Sequence, residues 1–244
     1  MTAESAETLD EHRGAWLKKP ALRAVYQDIY RRIANVTKPG KTLEIGGGTG
    51  NFKSFVPEVL STDIQHASWL DVVCDAHELP FVDGLFDNIV MFDVLHHLER
   101  PQFFLTEAAR VLRPGGQLVL VEPAITPVSR IFYTHFHPEP VDMNDDPFAV
   151  GDRDPNRDPY DSNQAIPSLL FKQKASQFET ENPDFNLKLS QYLSLFTYPL
   201  TGGFRPWTLM PAALVPLFLK IEDIFLPVFG PIMAFRLFVV LERK

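Results

Sequence analysis

Cysteine is almost missing from this chain. Cys74 stands alone among 244 residues, so no disulfide can form within the chain, and a reducing, cytoplasmic setting fits. Basic residues are in the minority, 23 Lys and Arg against 31 Asp and Glu, a net charge of −8. That balance disfavours a nucleic-acid partner, whose phosphates would be repelled. Apolar runs are short. The most apolar, 206–219, ends at Lys220, well below the roughly 20 residues of a membrane span. The first ten residues are polar and acidic and lack the basic-then-apolar order of a secretion signal. What remains is a globular composition, 45% hydrophobic and 22% charged, long enough for one domain with a real core. Proline (21) and phenylalanine (20) are abundant and crowd into the second half, which is therefore not a simple continuation of the first.

The chain turns on residues 42–52. Thr42, Leu43 and Ile45 are strand formers, and Gly46, Gly47, Gly48 and Gly50 follow. Backbone without Cβ atoms can approach a ligand closely. The spacing is not the G-x-G-x-x-G of a dinucleotide site, and Glu44 stands just before the turn. Downstream, apolar strand segments end at Asp63 (followed by Ile64), Asp75-Ala76 and Asp93, and a fifth runs from Gln117 to Val121. Five strands alternating with helical segments predict a parallel α/β sheet. Ligands of such sheets bind outside the carboxyl ends of the strands. Glu44, Asp63, Asp75 and Asp93 lie on that rim. Four carboxylates suit a ligand with several donors and a positive charge, and suit a pyrophosphate poorly. Asp63, 19 residues after Glu44, is placed to accept from both hydroxyls of a ribose. Asp75 can accept from an exocyclic amine such as that of adenine.

These motifs resemble, in order, those of class I S-adenosylmethionine-dependent methyltransferases, most closely the small-molecule group called type 11. Leu43-Glu44-Ile45-Gly46-Gly47-Gly48-Thr49-Gly50 is similar to the family's first motif. Asp63 matches its acidic second strand end. Asp75-Ala76 with Leu79-Pro80-Phe81, Phe86-Asp87 through His96-His97, and Leu112-Arg113-Pro114-Gly115-Gly116 resemble its later motifs. The resemblance covers residues 40 to about 123. It implies a Rossmann-like sheet of seven strands, mostly parallel with an antiparallel last strand, with helices on both faces. It implies S-adenosylmethionine as cofactor, with Glu44, Gly46, Gly47, Gly48 and Gly50 near the methionine part, Asp63 and Ile64 at the ribose, Asp75 and Ala76 at the adenine, and Asp93 near the sulfonium or the substrate. It also implies methyl transfer to a small-molecule, sugar-linked or lipid-linked acceptor, at oxygen by family habit. A non-catalytic cofactor-binding protein and a nicotinamide-dependent oxidoreductase are the alternatives.

The rest reads as appendages of a single domain over 1–244: an N-terminal arm and helix (1–39), the core (40–123), a lid-like acidic loop (124–165), and a C-terminal half (166–244) with an apolar insert (204–233). Residues 1–19 read as a loose arm, and 20 onward as a helix begun by Pro20. The loop carries His135 and His137, the best candidates for a general base. An H-x-H pair beside carboxylates also suits a metal ion, but the Asp run lacks calcium-loop spacing, and no metal is assigned. In this motif His96 and His97 read as a structural loop feature rather than bases, and metal binding by them is disfavoured, since adjacent side chains rarely converge on one ion. The insert reads as a cap over an apolar substrate, a contact between copies, or a peripheral membrane contact.

Overall fold

The computed structural model describes the backbone of residues 3–244 and the side chains of Leu9 and of residues 11–244. Helices α1 (Ala3–Lys18) and α2 (Pro20–Val36) lead into strand β1 (Thr42–Ile45) and the short helix α3 (Asn51–Phe55). Then come β2 (Leu60–Asp63), β3 (Val72–Val73), β4 (Phe86–Phe92), α4 (Pro101–Val111) and β5 (Leu112–Pro123). The second half holds α5 (Pro127–Phe136), α6 (Ile166–Ser168) running on into a π-helical turn, α7 (Ala175–Glu181), β6 (Phe185–Leu193), α8 (Thr197–Thr201), α9 (Val215–Met233) and β7 (Arg236–Arg243).

One sheet holds all seven strands in the order β3-β2-β1-β4-β5-β7-β6. Only β7 runs antiparallel to its neighbours, as the sequence leads one to expect. The strand order reverses at β1 and β4, so a crevice opens there at their carboxyl ends. Strand β5 is buried on both faces from Leu118 to Val121, which explains its unbroken apolar run. One core layer gathers Phe104, Leu105 and Phe178 with Ile89 and Met91 of the sheet. The other gathers the apolar stripe of α2 (Leu22, Val25, Ile29 and Ile33) with Val90, Val119 and Phe238.

Three expectations need correction. Residues 3–18 are helical, not a loose arm. Alanine, glutamate and leucine favour helix there, while weak amphipathicity hides the period. Trp16 anchors the segment edge-on to Tyr26, with ring centroids 5.4 Å apart. The loop from 124 is not irregular throughout, because Thr126 caps α5 through a reciprocal hydrogen-bonded box with Ser129. The helix that the insert's apolar residues predict over 209–226, interrupted by Pro211 and Pro216, runs instead from Val215 to Met233 through Pro227 and Pro231. Interior prolines remove helical hydrogen bonds, so packing holds it. Gly230 lets it lie close on β6, where a Cβ would stand 2.9 Å from the Cβ of Tyr192.

Glu222 supplies a second tie. Buried on α9, it accepts from the backbone N–H groups of Phe196 and Thr197 at 2.6 and 2.5 Å, capping α8 from outside. Losing a charged acceptor strands two buried donors. Glu222→Ala is expected to lower the unfolding free energy by about 2–3 kcal/mol, read from urea unfolding. A change below about 0.5 kcal/mol would show that the two N–H groups find other acceptors.

Candidate active site

The crevice at the strand ends holds a cavity of about 770 Å³. Among its walls are Glu44, Gly46, Gly47, Gly48, Asp63, Ile64, Asp75, Ala76 and Asp93. Gly50 is the one residue of the expected cofactor set outside it. It takes a left-handed conformation ahead of α3, φ 73°, and a Cβ there would stand 2.7 Å from the Trp69 ring. Its part is to let Trp69 close over the turn, where Nε1 donates to the Gly48 carbonyl at 2.8 Å.

Pairing of β1 with β2 sets Glu44 beside Ser61. Glu44 is buried and accepts a hydrogen bond from the Ser61 hydroxyl. A Cβ on Gly47 would strike that hydroxyl at 2.1 Å and approach the Glu44 carboxylate at 3.1 Å, so glycine is required. Burial pushes the Glu44 carboxyl up to about 7, against the Ser61 bond. No cation pairs with it among the described residues. Asp63 accepts from the backbone of Gly48 and of Gln65, each at 2.9 Å. Its carboxyl is raised by burial, against those bonds, and it keeps lone pairs for further donors.

The other two rim aspartates have protein partners. Asp75 takes the His77 backbone N–H and ring Nδ1 on one oxygen and Arg153 on the other. These bonds outweigh burial and hold its carboxyl well below the usual range. Asp93, in a left-handed conformation with φ 58°, holds both of its oxygens against Arg236. Arg236 is buried and faces the rings of Phe92 and Tyr198, 4.9 and 4.4 Å from their centroids. Neither carboxylate is free in the way the sequence suggested, because an arginine from a distant segment reaches each of them.

A second cavity, of about 940 Å³, lies beside the first. His12, Asp93, His97, Arg157, Tyr160 and Phe204 line both. Its other walls mix aromatic residues, including Phe132, Tyr133, Tyr198 and Trp207, with the bases His137 and Arg236, the acids Glu11, Glu139 and Asp161, and the polar Ser162 and Gln164. Lys19, buried, donates to the carbonyls of Gly203, Arg205 and Trp207 at 2.5–2.8 Å, fixing the loop that carries Phe204 and Trp207. Residues 152–160 of the acidic loop wall the first cavity, tied down by Arg153 to Asp75 and by Arg157 to the His97 carbonyl.

Of the expected bases, His135 is exposed on α5 and lines neither cavity. A short helix turned it outward, which a loop assignment could not foresee. His137 lines the second cavity, and burial lowers its pKa. The 96–97 pair is more deeply placed. His96 is fully enclosed, with Nδ1 2.7 Å from Glu122 and Nε2 3.2 Å from Glu139. Burial opposes its charge, yet those two carboxylates carry its pKa to about 10. His97 packs against it with ring centroids 4.3 Å apart. Burial and then the His96 charge lower the pKa of His97, and its Nδ1 is buried with no partner among the described residues. His96, His97 and Glu139 do converge within ligand distance of one another, contrary to the rule that neighbours diverge. Both nitrogens of His96, however, are already held by carboxylates. Sequence reasoning missed Arg236, Glu122, Glu139 and Lys19. Arg236 and Glu122 left a signal, each a lone charge at the end of an apolar strand.

Residues 43–120 match the family described as "Methyltransferase domain". The ubiquinone/menaquinone biosynthesis C-methyltransferase UbiE of Bordetella avium is 36% identical over 128 residues, 43% of this chain and 50% of that protein. The human "Probable tRNA methyltransferase 9B" is 29% identical over 150 residues, 50% of this chain and 33% of its own length. The chain thus spans half or less of these relatives. Among solved structures, the geranyl diphosphate C-methyltransferase of Streptomyces coelicolor, in complex with Mg²⁺, geranyl diphosphate and S-adenosyl-L-homocysteine, aligns with a TM-score of 0.53 at 12% identity, covering 89% of this chain and 77% of that one. The likeness to it is one of fold.

The His96 assembly has a pH signature. A histidine whose pKa rises from about 6.5 unfolded to about 10 folded adds stability that is complete below the first value and lost as pH climbs through the second. Wild-type protein is expected to lose stability between those limits relative to His96→Gln, in urea midpoints measured across that range. Parallel curves would show His96 to be neutral in the fold.

Proposed function

We propose that this chain, a class I S-adenosylmethionine-dependent methyltransferase by the family of residues 43–120 and by its fold, methylates an oxygen of a small sugar- or lipid-linked acceptor held in the second cavity. The carrying observation is the wall common to the two cavities, with His97 in it. The first cavity fits the cofactor by donor chemistry. Glu44, buried and without a cation, suits an ammonium group, and Asp63, fixed by two backbone N–H groups, suits a pair of hydroxyls. When bound, S-adenosylmethionine supplies an electrophilic methyl group on a sulfonium.

The second cavity fits an acceptor with an apolar body and a polar group. Aromatic rings offer the first contact, and His137, Ser162 and Gln164 the second. His97 is the base in this reading. Its lowered pKa keeps the imidazole neutral near pH 7, able to take a proton from an acceptor hydroxyl as that oxygen attacks. His96 is its positioning partner, held cationic by Glu122 and Glu139 and thereby opposing protonation next door. Methylation at carbon is the second reading, favoured by the relative named a C-methyltransferase. NMR of the product separates the two.

Calorimetry tests the cofactor. S-adenosylmethionine is expected to bind and NAD to give no heat, and Asp63→Ala is expected to weaken the first at least about tenfold, the value of one charge-assisted hydrogen bond. Heat with NAD alone would refute the reading. Binding should also release protons near pH 7, because an ammonium beside Glu44 lowers a carboxyl now titrating at about 7. Heats compared in buffers of different ionisation enthalpy report that release, and Glu44→Gln should abolish it. For turnover, label transfer from S-adenosyl-[methyl-¹⁴C]methionine into lipid-linked and free sugars, quinols and tRNA identifies the acceptor. His97→Asn should then lower kcat about 10²–10⁴-fold with cofactor affinity unchanged. Unchanged kcat would remove His97 as base, and labelled tRNA alone would overturn the acceptor class.

A further inference from the structure

Helix α9 is apolar on the side where a surface helix is ordinarily polar. Its inner stripe is fixed against the sheet by Glu222 and Gly230. Its outer stripe is Leu217, Ile224, Val228 and Ile232, 54, 73, 67 and 49% exposed. Phe225 and Phe229 flank it, also exposed. Helix α5 packs beside α9 and adds Val128, Ile131 and Phe136, all exposed. A helix apolar all round is ordinarily buried, and a contiguous apolar surface of this size marks a contact site.

The charges on this face indicate what covers it. The two acidic groups of α9 are withdrawn, Glu222 into the cap of α8 and Asp223 into a pair with Arg32 at 2.8 Å. The groups left exposed and, among the described residues, unpaired are basic, Lys220 on α9 and Arg130 on α5. In a chain of net charge −8 that is a local reversal of sign. It complements an anionic surface and would repel a typical basic partner. The face also continues into the second cavity, because Arg205 donates to the Phe136 carbonyl and Arg205 and Trp207 line the cavity mouth. Trp207 is 41% exposed and has the amphipathic ring favoured at membrane–water boundaries. No helix among the described residues is long and apolar enough to cross a bilayer, so contact would be made by helices lying along the surface.

We propose that the α5–α9 face docks this protein on an anionic lipid bilayer, with the mouth of the second cavity turned toward the headgroups. Apolar side chains enter the acyl boundary, and Lys220 and Arg130 meet lipid phosphates. The docking stands apart from the methyl-transfer reading, since binding to vesicles needs neither cofactor nor acceptor.

Sedimentation of the full chain with vesicles tests it. Vesicles of phosphatidylcholine with about a quarter phosphatidylglycerol are expected to bind the protein at least about tenfold more tightly than phosphatidylcholine alone, and high salt should reduce the difference. The double variant Ile224→Glu with Val228→Glu is expected to lose about tenfold or more of that binding. Both positions face outward, so its circular dichroism and thermal unfolding should match wild type. Lys220→Glu with Arg130→Glu should remove the preference for the anionic lipid. Wild-type protein that stays in the supernatant, or a double apolar variant that sediments equally well, would overturn the proposal. So would light scattering that finds a wild-type dimer which the apolar variant dissociates, assigning the face to a second copy.

Discussion

The crowding of negative charge at the carboxyl ends of the strands governs the site. Glu44, Asp63, Asp75 and Asp93 meet in one crevice, and Glu122 closes β5 nearby. Carboxylates withdrawn from water must be protonated, hydrogen-bonded or paired, and each of these five is stabilised differently. Glu44 leans on Ser61 and a raised pKa, and Asp63 on two backbone N–H groups. Asp75 has His77 and Arg153, Asp93 has Arg236, and Glu122 has His96 with the backbone N–H groups of Val94 and Leu95. That division separates roles. The two carboxylates without a protein cation face the part of the crevice suited to a cationic, hydroxyl-bearing ligand. Of the three with cations, Asp93 stands in the wall between the cavities.

The wall links fold to chemistry. Arg236 comes from the last strand and Asp93 from the fourth, 143 residues earlier. Their bond therefore depends on the antiparallel insertion of β7 beside β5. His96 joins the loop after β4 to Glu122 on β5 and to Glu139 beyond α5. Burial, and then the cation fixed between two carboxylates, lower the pKa of the adjoining His97. The N-terminal helix takes part through Leu9 and His12, the latter stacked on Phe204 at 4.8 Å. Lys19 holds the Phe204 loop by three carbonyls. Segments that look like appendages in the sequence thus form most of the second cavity and four of the six residues of the shared wall.

The apolar insert serves two ends of one element. Its first residues, around Phe204 to Trp207, cap the second cavity. Its helix is anchored to the sheet inside and left apolar outside. Proline in that helix costs hydrogen bonds that a freestanding helix could not lose, and the tie through Glu222 and the close approach at Gly230 compensate.

The sequence by itself determined the sheet and the cofactor half of the crevice. Strand periodicity, the glycine turn and the acidic strand ends are local features, written within 83 residues between Gly40 and Glu122, and the expected cofactor residues among them, Gly50 apart, line the first cavity. Even there Gly50 lies behind the wall, since spacing does not say which glycine faces a ligand and which admits a tryptophan. Only the tertiary structure decided the second cavity. Its parts come from α1, the loops after β4 and α5, residues 203–207 and β7, which no short pattern connects. It also decided which histidine matters. His135 stood out as part of an H-x-H pair and was turned to solvent by an unforeseen helix. His97, read as part of a structural loop, was brought to the cavity wall by a single 3-10 turn at Leu95–His97. Pairwise charge compensation between distant segments is a property of packing, and local sequence carries only its lone charges as a trace.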